Sequence, residues 1–146
     1  MTIPPLYTIG YEAQPQAEVI SKLKAAGVAE VIDVRAIAAS RRAGFSKTVL
    51  SNSLVAEGVA YLHLRDLGTP KRGRDAARKG YIREMRAIFE DHLETPAAGL
   101  ALERAIAESQ DKPVALLCYE ADAGGCHRRI VAERIHARTG AQVIDL

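Results

Sequence analysis

The chain has 146 residues, of which 48% are apolar and 26% are charged, and its formal net charge is +2. This length predicts one domain with a core large enough to fold without a metal or a disulfide framework. The sequence lacks a secretory signal, an apolar run near the ~20 residues that cross a bilayer, and enough cysteines for an extracellular disulfide framework, so we expect a cytoplasmic protein with no membrane partner.

Strand-like and helix-like patterns alternate along the whole chain. The first half predicts a strand at 6–10, a helix that closes at Gly27, a strand at 31–35, a helix capped by Ser46 that stops at Gly58, and a strand at 60–64. The second half predicts a basic loop at 68–80, helices at 81–92 and 97–108, a strand at 114–119, a helix at 126–138 and a last strand at 142–146.

The predicted strands are continuous apolar runs, which is typical of parallel strands covered on both faces. Right-handed crossovers between such strands restrict the topology. We therefore predict a single α/β domain over residues 1–146, a doubly wound, Rossmann-like three-layer sandwich with about five mostly parallel strands.

Polar side chains occur where the predicted strands end. In a doubly wound sheet the carboxyl ends of the strands face one crevice, which is where ligands bind. Alternation along a strand places Asp33 and Arg35 on one face of their strand, and Cys118 and Glu120 on one face of theirs. Asp33 and Arg35 either pair with each other or hold a ligand together, and the planar guanidinium suits a phosphate or carboxylate.

The segment after the fourth strand adds a second signal for an anion. Its loop, Ala121–Gly125, is expected to present unpaired amide groups, and the helix that starts near Cys126 adds partial positive charge. A helix start of this kind is a ready anion site, although many helix starts bind nothing.

Three interpretations of the two cysteines are open. Cys118 can be a nucleophile whose pKa is lowered by His127 or the arginines, but the C-x5-R spacing of tyrosine phosphatases would require arginine at Gly124. Cys118, Cys126 and His127, with or without Glu120, can bind zinc, but their spacing matches no common zinc signature, so we predict no metal. Both thiols can also be small buried hydrophobic groups.

Basic residues rim the same predicted crevice. Residues 35–86 contain 12 Lys or Arg and 4 Asp or Glu, whereas the remaining residues contain 8 and 14. This asymmetry favours a nucleotide or nucleic acid as partner, and a solvated basic loop explains it equally well. Aromatic residues make up only 5% of the chain, which disfavours a stacking platform for single strands.

Six short motifs follow one another along the chain. They are Thr8–Tyr11, Asp33–Arg35, Ser40-Arg41, Leu67-Gly68, Leu117-Cys118-x-Glu120 and Cys126–Arg128. In order and spacing these motifs resemble the domain of unknown function 488 family, with one departure, because Ala38 and Ala39 stand where the family usually has a proline before the Ser-Arg pair. The resemblance implies a single α/β domain and carries no established activity.

We predict that the crevice binds a phosphate-bearing ligand, either a nucleotide or a nucleic acid, and needs no cofactor. A hydrolase or transferase is the first enzyme class to test, and the alternative is a non-catalytic module whose basic face docks on nucleic acid or an acidic protein. The sequence leaves the oligomeric state open. The predicted catalytic residues are Cys118, Glu120 and His127, and the predicted ligand-binding residues are Gly10, Tyr11, Asp33, Arg35, Ser40, Arg41, Cys126 and Arg128.

Overall fold

A computed structural model describes residues 2–146 of the chain and contains one five-stranded sheet. The strands are β1 (Leu6–Gly10), β2 (Glu30–Asp33), β3 (Ala60–His63), β4 (Val114–Cys118) and β5 (Val143–Asp145). They are parallel and run in the order β3-β2-β4-β1-β5. The predicted Rossmann-like α/β class is therefore confirmed.

Helices cover both faces of the sheet. They are α1 (Gln16–Ala25), α2 (Lys47–Ala56), α3 (Lys71–Arg78), α4 (Ile82–Leu93), α5 (Pro96–Asp111) and α6 (Arg128–Thr139). Short 3-10 turns at Arg65–Leu67 and Ala123–Gly125 complete the fold. Within residues 2–146, every helix is too short or too polar to cross a membrane.

Alternation along the strands divides the core into two parts. Leu117 of β4 packs with α1 and α2 on one face, whereas the preceding residue, Leu116, packs with α4, α5 and α6 on the other. Both side chains are fully buried, so β4 needs apolar residues at every position. This is why its sequence reads as a continuous apolar run.

The prediction of a basic loop at 68–80 is wrong, because α3 occupies most of this segment. Its composition hides the helix, since it contains a glycine and four basic residues. Gly73 is buried so closely against Thr69 that a Cβ would lie 2.1 Å from the Thr69 methyl carbon. Packing against the rest of the protein therefore stabilises a helix that its intrinsic propensity disfavours.

One predicted helix cap and one predicted helix start differ from the structure. Ser46 is the N-cap residue of α2, but its hydroxyl donates to the Ser40 carbonyl instead of capping the helix. The last helix begins at Arg128 and not at Cys126, because Cys126 has extended backbone with φ −129° after a 3-10 turn. Cys126 and His127 therefore precede α6 and lie in the connection that follows β4.

Candidate active site

A cavity of about 460 Å³ lies where β1, β2 and β4 end. These three strands are adjacent at the centre of the sheet, and Gly10 at the end of β1 is level with Cys118 at the end of β4. The volume is in the range of small-molecule sites. The polar side chains in its lining are Tyr11, Glu12, Arg35, Thr69, Arg74, Arg78, Cys118, Tyr119, Glu120, Cys126 and His127.

Two thiols and one imidazole converge on the floor of this cavity. The Nδ1 atom of His127 lies 3.8 Å from the Sγ atom of Cys118 and 3.8 Å from that of Cys126. All three side chains are buried, and their ligand atoms lie within 4.8 Å of one another. We call Cys118, Cys126 and His127 the thiol–imidazole cluster.

The orientation of the His127 ring is set by two contacts outside the cluster. Its Nε2 atom lies 2.7 Å from the Val34 carbonyl oxygen, which can only accept, so Nε2 carries a hydrogen. The edge-to-face contact with Phe89, at 5.1 Å between ring centroids, supports the ring from one side. In the neutral imidazole the Nδ1 lone pair therefore faces both sulfur atoms.

Within the thiol–imidazole cluster, the pKa values of the two cysteine thiols are shifted in opposite directions. The hydrogen bond with Cys126, together with burial, raises the pKa of Cys118 well above its usual range. Burial alone would raise the pKa of Cys126 too, but the hydrogen bond from Cys118 and the positive charge of His127 lower it well below that range. Burial opposes charge on His127, and the negative charge of Cys126 nevertheless raises the pKa of the imidazole. Cys126 is therefore the more acidic thiol, whereas the sequence singled out Cys118 as the nucleophile.

Glu120 adds a carboxylate beside the cluster. Its Oε2 atom accepts a hydrogen bond from the Cys118 thiol at 3.6 Å. Burial, followed by the charge of Cys126, raises the pKa of Glu120 to about 7. A carboxyl group with this pKa can hold or release a proton near neutral pH.

Arg35 lines the cavity, but its guanidinium is engaged inside the protein. It forms a bidentate pair with Asp33, at 2.9 Å from Nε to Oδ1 and 2.7 Å from Nη2 to Oδ2. Its Nη1 atom donates to the Tyr11 hydroxyl and to the Phe45 carbonyl. Burial lowers the pKa of Arg35, but its hydrogen bonds to the Asp33 carboxylate raise the pKa above its ordinary value. Of the two interpretations left open by the sequence, the geometry favours the internal pair.

Arg128 and Gly10 position the connection after β4 and lie outside the cavity lining. The guanidinium of Arg128 is buried and donates to the carbonyl oxygens of Glu120 and Ala121. The backbone of Gly10 lies directly against the Glu120 carbonyl. Both residues therefore fix the position of the Glu120 backbone.

The expectation of unpaired amides in the loop Ala121–Gly125 holds for part of the loop. Three of its amides are bonded, from Ala121 to the Glu12 carboxylate and from Gly124 and Gly125 to Asp122. The amides of Asp122 and Ala123 make no such bond within the described residues. Neither of these two residues lines the cavity.

Ser40 and Arg41 lie outside the cavity lining as well. The Ser40 backbone bonds the Ser46 hydroxyl through both its amide and its carbonyl, which closes the turn before α2. The Arg41 side chain is exposed, while Arg42 bonds the carbonyls of Tyr11 and Gln14. These two residues shape the connection after β2, and the prediction that they bind a ligand stays a prediction.

Arg74 and Arg78 line the cavity; the sequence places Arg74 in a basic cluster at the rim of the crevice and did not single out Arg78. They lie four positions apart on α3, which places them on one face of that helix. The i,i+4 spacing was a usable signal, but only for a segment recognised as helical.

The family assignment rests on most of the chain. No curated protein and no solved structure matches it. One family model matches residues 15–135, which span β2, β3, β4 and the complete thiol–imidazole cluster. The chain therefore belongs to the family described as Domain of unknown function DUF488.

Proposed function

We propose that the cavity binds a small phosphate-bearing ligand, such as a nucleotide, and that the protein hydrolyses this ligand or transfers a group from it. The observation that carries this proposal is the composition of one cavity. Two guanidinium groups of α3, Arg74 and Arg78, and the thiol–imidazole cluster line the same space.

The two arginines supply the positive charge for a phosphate. Arg74 uses one nitrogen to donate to the Thr69 carbonyl at 2.8 Å, which fixes the side chain and leaves its other donors for a ligand. Arg78 pairs with Asp75, and both side chains of that pair are solvent-exposed. Exposed ion pairs contribute little stability, so phosphate can replace Asp75 as the partner of Arg78.

Apolar side chains complete the lining and suit the less polar part of such a ligand. Met85 is buried beneath the cavity, and Ala77, Ile37 and the Tyr119 ring also line it. Pockets of this kind combine an apolar lining with a few polar groups that orient the ligand.

Group transfer requires a nucleophile and groups that move protons, and the floor of the cavity holds both. Cys126 and Cys118 are the available nucleophilic atoms, and His127 and Glu120 are the proton carriers beside them. This side-chain set supports hydrolase or transferase chemistry better than simple docking, which would need no buried reactive groups.

The binding step is testable with AMP as the probe and isothermal titration calorimetry as the measurement. Arg74→Gln combined with Arg78→Gln is expected to weaken AMP binding about 30- to 900-fold, since each of the two lost charged contacts is worth roughly 1–2 kcal/mol. The matched control is Arg72→Gln with Lys79→Gln, which removes the same charge from α3 and its C-cap at residues that line a different groove.

Equal weakening by both pairs would contradict the proposal, because it would mean that the charge of α3 acts without a defined site. Binding of DNA or RNA in place of AMP, with affinity that falls steeply as salt rises, would instead support the non-catalytic module. Thermal unfolding of each variant shows whether the loss of the Arg74 bond to Thr69 has changed the fold.

A further inference from the structure

We infer that Cys118, Cys126 and His127 form a three-ligand site for Zn²⁺ whose fourth coordination position opens into the cavity. The inference goes beyond the proposed function and does not depend on a phosphate ligand. It reverses the expectation of no metal, which rested on sequence spacing alone.

The distances between the ligand atoms fit tetrahedral zinc. With Zn–S near 2.3 Å and Zn–N near 2.0–2.1 Å, a sulfur and a nitrogen of one tetrahedron lie about 3.6 Å apart. Both sulfur atoms of the cluster lie 3.8 Å from Nδ1 of His127. The two sulfur atoms also lie within 4.8 Å of each other, so small side-chain movements bring all three to one ion.

The second ring nitrogen of His127 makes the hydrogen bond that is typical of a metal-binding histidine. Histidines that bind metals through one ring nitrogen donate the other N–H to a carbonyl or a carboxylate, which fixes the tautomer and the ring orientation. Nε2 of His127 donates to the Val34 carbonyl at 2.7 Å, so Nδ1 is the nitrogen left for the ion. The accepting carbonyl belongs to Val34, the residue directly after β2, which is far in the chain from the segment that carries the histidine.

The donor set selects the metal and the type of site. Two thiolates with one imidazole favour zinc over magnesium or calcium, which prefer oxygen. Three protein ligands with a fourth position left for water or substrate is the arrangement of catalytic zinc sites, whereas structural sites are closed by four. All three ligands line the cavity, which provides both the entry path and the open position.

Local backbone explains why the spacing rules did not reveal this set. Cys126 has extended backbone and His127, directly after it, has helical backbone with φ −62°. This change of direction lets adjacent side chains reach one point, which they could not do within a regular helix or strand. On binding, any proton still on either thiol is lost to solvent, and both sulfur atoms coordinate as thiolates. With zinc bound, the thiolates and the imidazole would be ligands and no longer nucleophile and proton carrier, and the ion would supply a Lewis acid for the proposed hydrolysis.

The test uses the full chain, purified anaerobically with reductant, stripped of metal and titrated with Zn²⁺ against a chromophoric chelator. We expect one zinc per chain. Cys118→Ser, Cys126→Ser and His127→Gln should each weaken zinc binding by at least about 10- to 100-fold, the loss caused by removing an outer-shell partner alone. His63→Gln is the matched control, because His63 also bonds a backbone carbonyl at a strand end but lies outside the cluster.

Cobalt substitution gives a readout that does not depend on activity. Each cysteine variant should lose about half of the thiolate-to-cobalt charge-transfer absorption, since each removes one of two sulfur ligands. Zinc-edge X-ray absorption of the unsubstituted protein should show two sulfur neighbours, and it requires no variant to fold.

Two results would overturn the inference. One is zinc binding by the reduced protein no tighter than that of the Cys118→Ser, Cys126→Ser double variant. The other is a zinc-edge spectrum without sulfur neighbours. AMP binding is measured on the metal-free protein, so it can fail or succeed independently.

Discussion

Gly10→Ala is expected to destabilise the protein by about 3 kcal/mol, the upper end of the usual cost of overpacking, because the added methyl group meets backbone that cannot yield. A Cβ at this position would lie 1.7 Å from the Glu120 carbonyl oxygen and 2.5 Å from its carbonyl carbon. Both are backbone atoms, so no side-chain rotation relieves the clash. The connection after β4 must therefore move away from β1, and Glu120 moves with it.

Urea unfolding followed by circular dichroism measures this effect as a lower midpoint. Gly99→Ala is the matched control, since Gly99 lies inside α5 with nothing within 4 Å of an added Cβ. That change should stabilise the protein by roughly 0.5–1 kcal/mol, because glycine is a poor helix former. An unchanged midpoint for Gly10→Ala would show that β1 and the Glu120 backbone are further apart than described.

Asp33→Ala is the second substitution with a large expected effect, a loss of about 3–5 kcal/mol, because it leaves a buried guanidinium without its partner. Asp33 is fully buried and holds Arg35 at two points. The Tyr61 hydroxyl also donates to this carboxylate, at 2.5 Å. Tyr61→Phe removes only that neutral donor and should cost about 1 kcal/mol.

A double-mutant cycle separates the pair from its surroundings. Asp33→Ala with Arg35→Met should be less destabilising than the sum of the two single changes, because the double variant buries no unpaired charge. Additive losses would contradict a direct pair. The same double variant tests whether Arg35 also binds phosphate. If Arg35 does so, the affinity of the double variant for AMP should fall as far as that of the variant that lacks Arg74 and Arg78.

The strands were predictable because a fully buried parallel strand requires a continuous run of apolar residues. Predicted and observed bounds agree for β1, and β4 ends one residue earlier than expected, at Cys118. Helix α3 was not predictable in this way. Its buried face consists of small residues, Gly73 and Ala76, and in an Arg-rich segment with a glycine this weak apolar signal is hard to tell from a solvated loop.

The location of the candidate site followed from topology, and the roles of its residues did not. Parallel strands place Tyr11, Arg35, Cys118 and Glu120 at one edge, and all four line the cavity. Sequence cannot show which polar groups are already bonded inside the protein. Arg35 and four of the amides in residues 121–126 are occupied internally, and cationic side chains of α3 line the cavity.

The central claim is that one cavity at the carboxyl ends of the strands is the ligand site, and heteronuclear NMR of the labelled protein titrated with AMP tests it most directly. Amide shifts should change around Tyr11, Arg35, residues 74–78 and residues 118–127, which line the cavity. Shift changes confined to the amino ends of the strands, near Glu30 and Val114, would contradict the claim. The absence of any shift change at millimolar AMP would contradict it too.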